Sequence, residues 1–253
     1  MKKVLLSGIT PSGNGNLHIG NYFGAIKQFV DMQDEYEAYI MVADMHALTT
    51  IQDAKVLKQN IFNVTATYLA CGLDPKKVKL FQQSDIGVHG ELTWIFNCIT
   101  TMPYLERAVA YKDKVANGIE ASVGLFDYPM LMTADILLYD PDVVPVGADQ
   151  KQHIEFARDT AEKFNRIWGE TFKMPEPLIL EATGIVPGLD GRKMSKSYNN
   201  TIPLFASDEE IKKAVMSIVT DSSGGIPQNV YAIHRLFRTE DELESLYEDN
   251  AGK

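Results

Sequence analysis

Short apolar runs alternate with longer segments of helical periodicity along most of this chain. The runs predict buried strands over 2–9, 37–42, 78–82 and 143–146. Apolar residues at helical spacing predict helices over 17–36, 53–69, two or three places within 90–139, 148–164 and 208–219. This alternation indicates an α/β fold with a parallel sheet and right-handed crossovers.

The predicted sheet also indicates where a ligand would bind. In open parallel sheets, ligands lie beyond the carboxyl ends of the strands. The segments 8–20, 44–46 and 147–150 follow predicted strands. We therefore expect functional residues in these three segments.

The residue pattern changes after Pro187, which predicts a second, smaller part of the chain. The loop 188–192 leads into a lysine-rich motif, and Ser207 is the predicted N-cap of the helix at 208–219. We predict a catalytic domain over 1–187 and a small C-terminal helical region over 188–253. The chain ends without a capping pattern, so we expect it to be truncated.

Composition narrows the class of protein only modestly. The 253 residues are 45% hydrophobic and 23% charged, as in ordinary globular proteins. Cys71 and Cys98 lie in apolar helical patterns without metal-ligand neighbours, which indicates reduced core cysteines of a cytosolic protein and no metal site. No apolar run approaches the roughly 20 residues of a membrane helix, so no membrane partner is expected. The net charge of −10 does not exclude nucleic acid, because phosphate contacts need only a local basic face.

Two separated motifs favour phosphate binding. The loop 8–20 contains four glycines, whose backbone N–H groups can approach a phosphate at the start of a helix. His18 lies in the predicted first turn, where its ring can donate to phosphate oxygens. The motif KMSKS at 193–197 carries Lys193 and Lys196 as mobile cations. Either motif alone is weak evidence, but together they predict a nucleotide-binding site.

Asp135 is the one ionisable residue in the apolar run 130–138. A buried carboxylate needs a donor, and an indole N–H, which only donates, would suit it. Met132 lies three residues earlier on the same predicted helix face and could pack against an aromatic ring. The alternative is that a protein donor such as His46 pairs with Asp135 and that Met132 is core. The residues alone favour this alternative.

The motifs together resemble a known family. TPSG at 10–13 with HIGN at 18–21, and KMSKS at 193–197, resemble the signatures of class I aminoacyl-tRNA synthetases. The segments 43–47, 125–139 and 144–153 resemble tryptophanyl-tRNA synthetases, and the resemblance covers about 2–248. It implies a Rossmann-like doubly wound catalytic domain with a helical dimer-interface insertion at about 88–140. It also implies ATP with Mg²⁺, L-tryptophan and tRNA(Trp), a homodimer and a cytoplasmic location.

The resemblance also implies a role for individual residues. The catalytic set is His18, Lys114, Lys193 and Lys196. The ATP-binding set is Thr10, Pro11, Ser12, Gly20, Asn21, Gly147, Ala148, Asp149, Ile185, Lys193, Met194, Ser195, Lys196 and Ser197. The tryptophan-binding set is His46, Tyr128, Met132, Asp135 and Gln150, with Asp135 as the indole acceptor. Structural roles remain open for Ile185 in the core, Lys114 as a solvated charge and Asp149 as a first-turn helix acid.

Three other functions remain open. A tyrosyl-tRNA synthetase is possible in principle because a phenol also donates to a carboxylate, although the segment 128–139 argues against it. A non-catalytic sensor of tryptophan or ATP would have lost catalytic residues that are present here. A broader nucleotidylyltransferase would share the histidine–glycine loop and lack the segment around Asp135.

Overall fold

A computed structural model describes residues 2–13, 15–108, 111, 122–146, 151–179, 186–220 and 226–249. The chain divides into two compact units. The first contains Met1–Gly15 and Phe29–Leu180, and the second contains Asn16–Gln28 and Glu181–Lys253. These units differ from the predicted domains in that 16–28 belongs to the second unit, while the predicted boundary lies at 187.

The first unit is built on a five-stranded sheet. Its strands are β1 (Val4–Ile9), β2 (Glu37–Val42), β3 (Lys79–Gln82), β4 (Val143–Val146) and β5 (Glu176–Ile179). Their order is β3-β2-β1-β4-β5 and every pairing is parallel. Ile9 pairs with Val42, and Val42 pairs with Gln82, so these carboxyl ends share one edge. The predicted Rossmann-like α/β fold is confirmed.

The helices of the first unit include one that is mostly apolar. They are α2 (Lys27–Met32), α3 (Asp44–Ala47), α4 (Ala54–Ala70), α5 (Val88–Asn97), α6 (Met102–Leu105), α7 (Val123–Leu137) and α8 (Lys151–Trp168). The first two residues of α2 belong to the second unit. Asp53 caps α4 by accepting from the backbone N–H groups of Lys55 and Val56 at 2.8 and 3.1 Å. Helix α7 packs against α5 and α8, and its Met130 and Ala134 are fully buried.

The second unit has its own small core. Its helices are α1 (Ile19–Asn21), which continues into a π-helical turn (Tyr22–Ile26), then α9 (Asp208–Met216), α10 (Gln228–His234) and α11 (Glu240–Asp249). Ser207 caps α9, as predicted, with Glu210 completing a capping box. The core groups Ile19 with later residues, namely Val186, Met194, Ile202 and Ile233.

Backbone hydrogen bonds explain why 16–28 joins the second unit. The N–H of Ile19 donates to the carbonyl of Ile202, and the N–H of Leu204 donates to the carbonyl of Leu17, each at 3.0 Å. These bonds join segments almost two hundred residues apart in the sequence. Local periodicity carries no signal for such a pairing.

Two further sequence predictions concern the surface. Both cysteines are free thiols, but Cys98 is exposed and Cys71 partly so, and the prediction that they are core residues was wrong. Cys98 is the C-cap of α5, directly after its last residue. Among the described helices, none is long and apolar enough to cross a membrane.

Candidate active site

Asp135 lies at the centre of a buried hydrogen-bond network in the first unit. Its Oδ1 accepts from Gln83 Nε2 at 2.6 Å and from His89 Nδ1 at 2.7 Å. Its Oδ2 accepts from His46 Nε2 at 2.7 Å. The contact with His46, considered above as the alternative to an indole partner, is therefore present.

The network keeps the Asp135 carboxyl group ionised. Burial alone would raise the pKa of Asp135, but hydrogen bonds from His46 and His89 outweigh it, so the pKa lies below its ordinary value. A carboxylate offers about four acceptor positions, and the three donors occupy three of them. Among the described residues no further donor reaches the carboxylate, so one position remains on Oδ2, which can accept one more N–H.

Tyr128 and Met132 come from the same helix as Asp135. The Tyr128 ring packs edge-to-face on His46, with centroids 6.2 Å apart, and its hydroxyl lies 3.4 Å from His153 Nε2. Burial raises the pKa of Tyr128 to about 12, so its phenol stays protonated at neutral pH. Met132 is partly buried against the core of the first unit. The structure therefore brings Tyr128 and His46 together beside Asp135, with Met132 at the core margin.

The glycine-rich loop after β1 is held by a buried asparagine. Asn60 Nδ2 donates to the carbonyls of Pro11 and Gly13 at 3.1 and 2.9 Å. Gly15 has a φ of +71°, and a Cβ there would lie 2.6 Å from Asn60 Oδ1. The bonds from Asn60 therefore fix this loop, which includes Thr10 and Ser12, at the carboxyl edge of the sheet. This is the edge where the sequence predicts ligands.

His18 is the N-cap of α1 in the second unit rather than a first-turn residue. Burial, and then the positive charge of Lys196, lower the pKa of His18 to about 4, so the ring is neutral at pH 7. Among the described residues, its buried Nδ1 has no hydrogen-bond partner. Asn21 Oδ1 accepts from the His18 backbone N–H at 3.0 Å, which makes this predicted ATP ligand part of the helix cap.

The ring of His18 lies against Gly20. A Cβ on Gly20 would lie 2.8 Å from His18 Nδ1 and 3.3 Å from Met194 Cβ. Only glycine fits at this position without displacing one of them. Gly20 is thus a packing partner of the histidine.

The lysine motif forms an ordered loop within the second unit. Met194 is buried in the core of this unit, and its N–H donates to the carbonyl of Val186 at 2.8 Å. Its side chain packs in that core, and its predicted role in ATP binding stays a prediction. The hydroxyls of Ser195 and Ser197 bond each other at 2.8 Å. Lys193 and Lys196 are exposed, and partial desolvation lowers the pKa of Lys196.

Asn200 organises this loop. Its Oδ1 accepts from the Ser195 N–H at 2.8 Å, while its Nδ2 donates to Asp190 Oδ1 at 2.7 Å and to the Lys193 carbonyl at 3.1 Å. Asn200 is buried. These bonds set the backbone that carries the two lysines.

Comparison with known proteins identifies the family. A family model for tRNA synthetases class I (W and Y) matches residues 2–251. The tryptophan–tRNA ligase of Fusobacterium nucleatum is 55% identical over 250 residues, which cover 96% of this chain and 76% of the relative. The chain belongs to the tryptophan–tRNA ligase family. The ligase of Rhodopirellula baltica is 48% identical over 96% of this chain and 77% of its own length.

A solved structure supports the same assignment. The tryptophanyl-tRNA synthetase of Campylobacter jejuni complexed with ADP and tryptophan has 49% identity and a TM-score of 0.88. The match covers 96% of this chain and 77% of that one. Membership of the tryptophan–tRNA ligases at this identity decides against the tyrosyl alternative.

Several ligase residues predicted from the resemblance lie outside the described residues. They are Lys114, Gly147, Ala148, Asp149, Gln150 and Ile185. Conversely, Gln83, His89 and Asn200 were not predicted. Gln83 directly follows the strand predicted over 78–82, so the rule about carboxyl ends could have found it. His89 lies 46 residues from Asp135, and no local pattern links the two.

Proposed function

We propose that the chain is an ATP-dependent tryptophan–tRNA ligase. It activates L-tryptophan to tryptophanyl-adenylate, releasing pyrophosphate, and then transfers tryptophan to the 3′-terminal adenosine of tRNA(Trp). The observation that carries the proposal is the ionised, buried Asp135 with one acceptor position left on Oδ2. An indole N–H, a group that only donates, matches that position.

On the amino-acid side, we assign the indole contact to Asp135, with His46 and Met132 lining the ring. Tyr128 and Gln150 would bind the ammonium group. The buried carboxylate is a strong acceptor because hydrogen bonds to charged groups are worth about 1.5–3 kcal/mol. Selection of tryptophan would therefore rest largely on one oxygen atom.

On the nucleotide side, catalysis would consist of positioning and charge stabilisation. The tryptophan carboxylate attacks the α-phosphorus, and pyrophosphate leaves. His18, neutral at pH 7, has one N–H to donate, while Lys193 and Lys196 provide positive charge on flexible stems. Mg²⁺ would arrive bound to the ATP phosphates, the usual way proteins hold this ion.

The remaining nucleotide contacts are proposed from the family motifs. Backbone atoms around Pro11 and Gly20 would allow close approach of the phosphates. Lys114 is proposed to meet pyrophosphate and Ile185 to read adenine through its backbone. The other members of this set are Thr10, Ser12, Asn21, Gly147, Ala148, Asp149, Ser195 and Ser197.

We further propose a cytoplasmic homodimer. The supporting observations are two exposed apolar side chains: Trp94 on α5 is 71% exposed, and Val123 at the start of α7 is 82% exposed. The free thiols of Cys71 and Cys98 agree with a reducing compartment. Sedimentation at micromolar concentration should give a dimer, and Trp94→Glu should shift it to monomer. A monomeric parent chain would contradict the dimer.

The function is tested by amino-acid-dependent exchange of pyrophosphate into ATP, with each of the twenty amino acids, followed by charging of tRNA(Trp). We expect exchange with tryptophan alone and charging of this tRNA. Tryptophan binding without exchange would instead identify a sensor. Exchange with tyrosine would identify the other specificity of the family.

A further inference from the structure

His89 lies next to Asp135 in the interior of the first unit, on the side of Oδ1. It is fully buried on α5, with Nδ1 at 2.7 Å from Asp135 Oδ1 and Nε2 at 2.9 Å from the Tyr139 hydroxyl. Burial and the negative charge of Asp135 raise the pKa of Tyr139, so its phenol keeps its proton. The carboxylate only accepts, so the Nδ1–H of the imidazole donates to Asp135, while Nε2 and the phenol of Tyr139 bond each other.

Gln83 approaches the same oxygen from the end of β3. It is fully buried, and its Nε2 donates to Asp135 Oδ1 at 2.6 Å. Its Oε1 accepts from the backbone N–H of Met45 at 3.0 Å, which fixes the orientation of the amide. The amide can therefore present only its N–H side to Asp135.

The two oxygens of Asp135 are consequently not equivalent. Oδ1 accepts from two fully buried donors and has no acceptor position left. In the part of the chain that the structure describes, Oδ2 accepts only from His46, whose side chain is 13% exposed. An incoming N–H can therefore be accepted only at Oδ2.

We propose that His89 and Gln83 are positioning residues for tryptophan recognition. They occupy the acceptor positions of Asp135 Oδ1, so that Oδ2 is left to accept from a ligand group that only donates, the indole N–H. The inference rests on the proposed function, in which Asp135 binds the indole. It adds that selectivity depends on two residues that never touch the substrate. The ligand class is an aromatic ring with one N–H donor.

A matched pair of variants separates the bond to Asp135 from the bond to Tyr139. In His89→Asn the amide N–H lies near the former Nδ1–H and can still donate to Asp135. In His89→Gln the amide extends toward the former Nε2 position and serves Tyr139 instead. We expect His89→Asn to keep the KM for tryptophan within about threefold of the parent, and His89→Gln to raise it roughly tenfold to a hundredfold. The KM for ATP should not change in either.

The decisive readout uses a tryptophan analogue in which sulfur replaces the indole N–H, 3-(benzothiophen-3-yl)alanine. The parent chain should prefer tryptophan to this analogue in pyrophosphate exchange. His89→Gln should lose most of this preference, while His89→Asn should retain it. A purely structural role would reduce exchange with both substrates alike.

Gln83→Met provides an independent variant if either substitution at His89 prevents folding, because it removes the other donor to Oδ1. It too should reduce the preference for tryptophan over the analogue. An unchanged preference in His89→Gln and Gln83→Met, alongside a lost preference in Asp135→Asn, overturns the inference and leaves the proposed function intact. Absence of tryptophan-dependent exchange in the parent chain overturns the proposed function itself.

Discussion

Replacing Gly20 with alanine tests the packing that positions His18. The added Cβ would lie 2.8 Å from His18 Nδ1, 2.9 Å from its Cε1 and 3.3 Å from Met194 Cβ. Ordinary carbon contacts are about 3.5–4.0 Å, and both neighbours are buried. The imidazole ring therefore has to move by roughly half an ångström or more.

The change in the free energy of unfolding follows from two opposing contributions. Overpacking a well-filled site costs about 1–3 kcal/mol, and replacing glycine within a helix returns up to about 1 kcal/mol. A net loss of about 1–2 kcal/mol would lower the melting temperature by roughly 2–8 °C for a chain of this size. Misplacing a positioned group by an ångström can cost about a hundredfold in rate, so we expect adenylate formation to slow at least tenfold.

Gly24→Ala is the matched control, because a Cβ at Gly24 meets nothing within 4 Å. This variant should retain parental exchange and should melt at the same temperature or slightly higher. Both variants are measured by pyrophosphate exchange, equilibrium tryptophan binding and thermal unfolding. If Gly20→Ala behaves like Gly24→Ala in exchange and melting, the packing of His18 on residue 20 is refuted.

Three further perturbations test other parts of the site. Lys196→Ala should slow adenylate formation by about a hundredfold while tryptophan binding changes little; equal losses in exchange and equilibrium binding would contradict that role. Asn200→Ala removes the bonds to Ser195, Lys193 and Asp190, so amide hydrogen exchange at Ser195 should accelerate, and unchanged protection would count against the loop description. Because burial lowers the pKa of His18 to about 4, the folded state binds fewer protons than the unfolded state between that value and the ordinary value of about 6.5. The contribution of His18 to stability should therefore fall as pH drops through this window, and a pH titration of unfolding in which His18→Asn shows the same acid slope as the parent would contradict it.

The strands could be predicted where apolar runs are uninterrupted. The predicted bounds of β2 and β4 agree with the structure. Strand β5, whose four residues begin with Glu176 and Pro177, was not predicted because its apolar stretch is only two residues long. It lies at the end of the strand order, where a strand tolerates proline.

The candidate site could be predicted only in part, because several of its contacts join segments that are distant in the sequence. Asp135 could be identified from the sequence as a buried carboxylate with His46 as one candidate partner, and their contact is present. The contact with His89 depends on how α5 packs against α7, which local periodicity does not encode. The packing of Gly20 on His18 and Met194 is likewise a tertiary contact across distant segments.

The central claim is that the carboxylate of Asp135 selects tryptophan by accepting its indole N–H. The most direct measurement is tryptophan-dependent pyrophosphate exchange by the parent chain and by Asp135→Asn, with the KM for ATP recorded in both. We expect the KM for tryptophan to rise roughly tenfold to a hundredfold in Asp135→Asn, with the KM for ATP unchanged. An unaltered KM and an unaltered preference for tryptophan in a folded Asp135→Asn variant would contradict the claim.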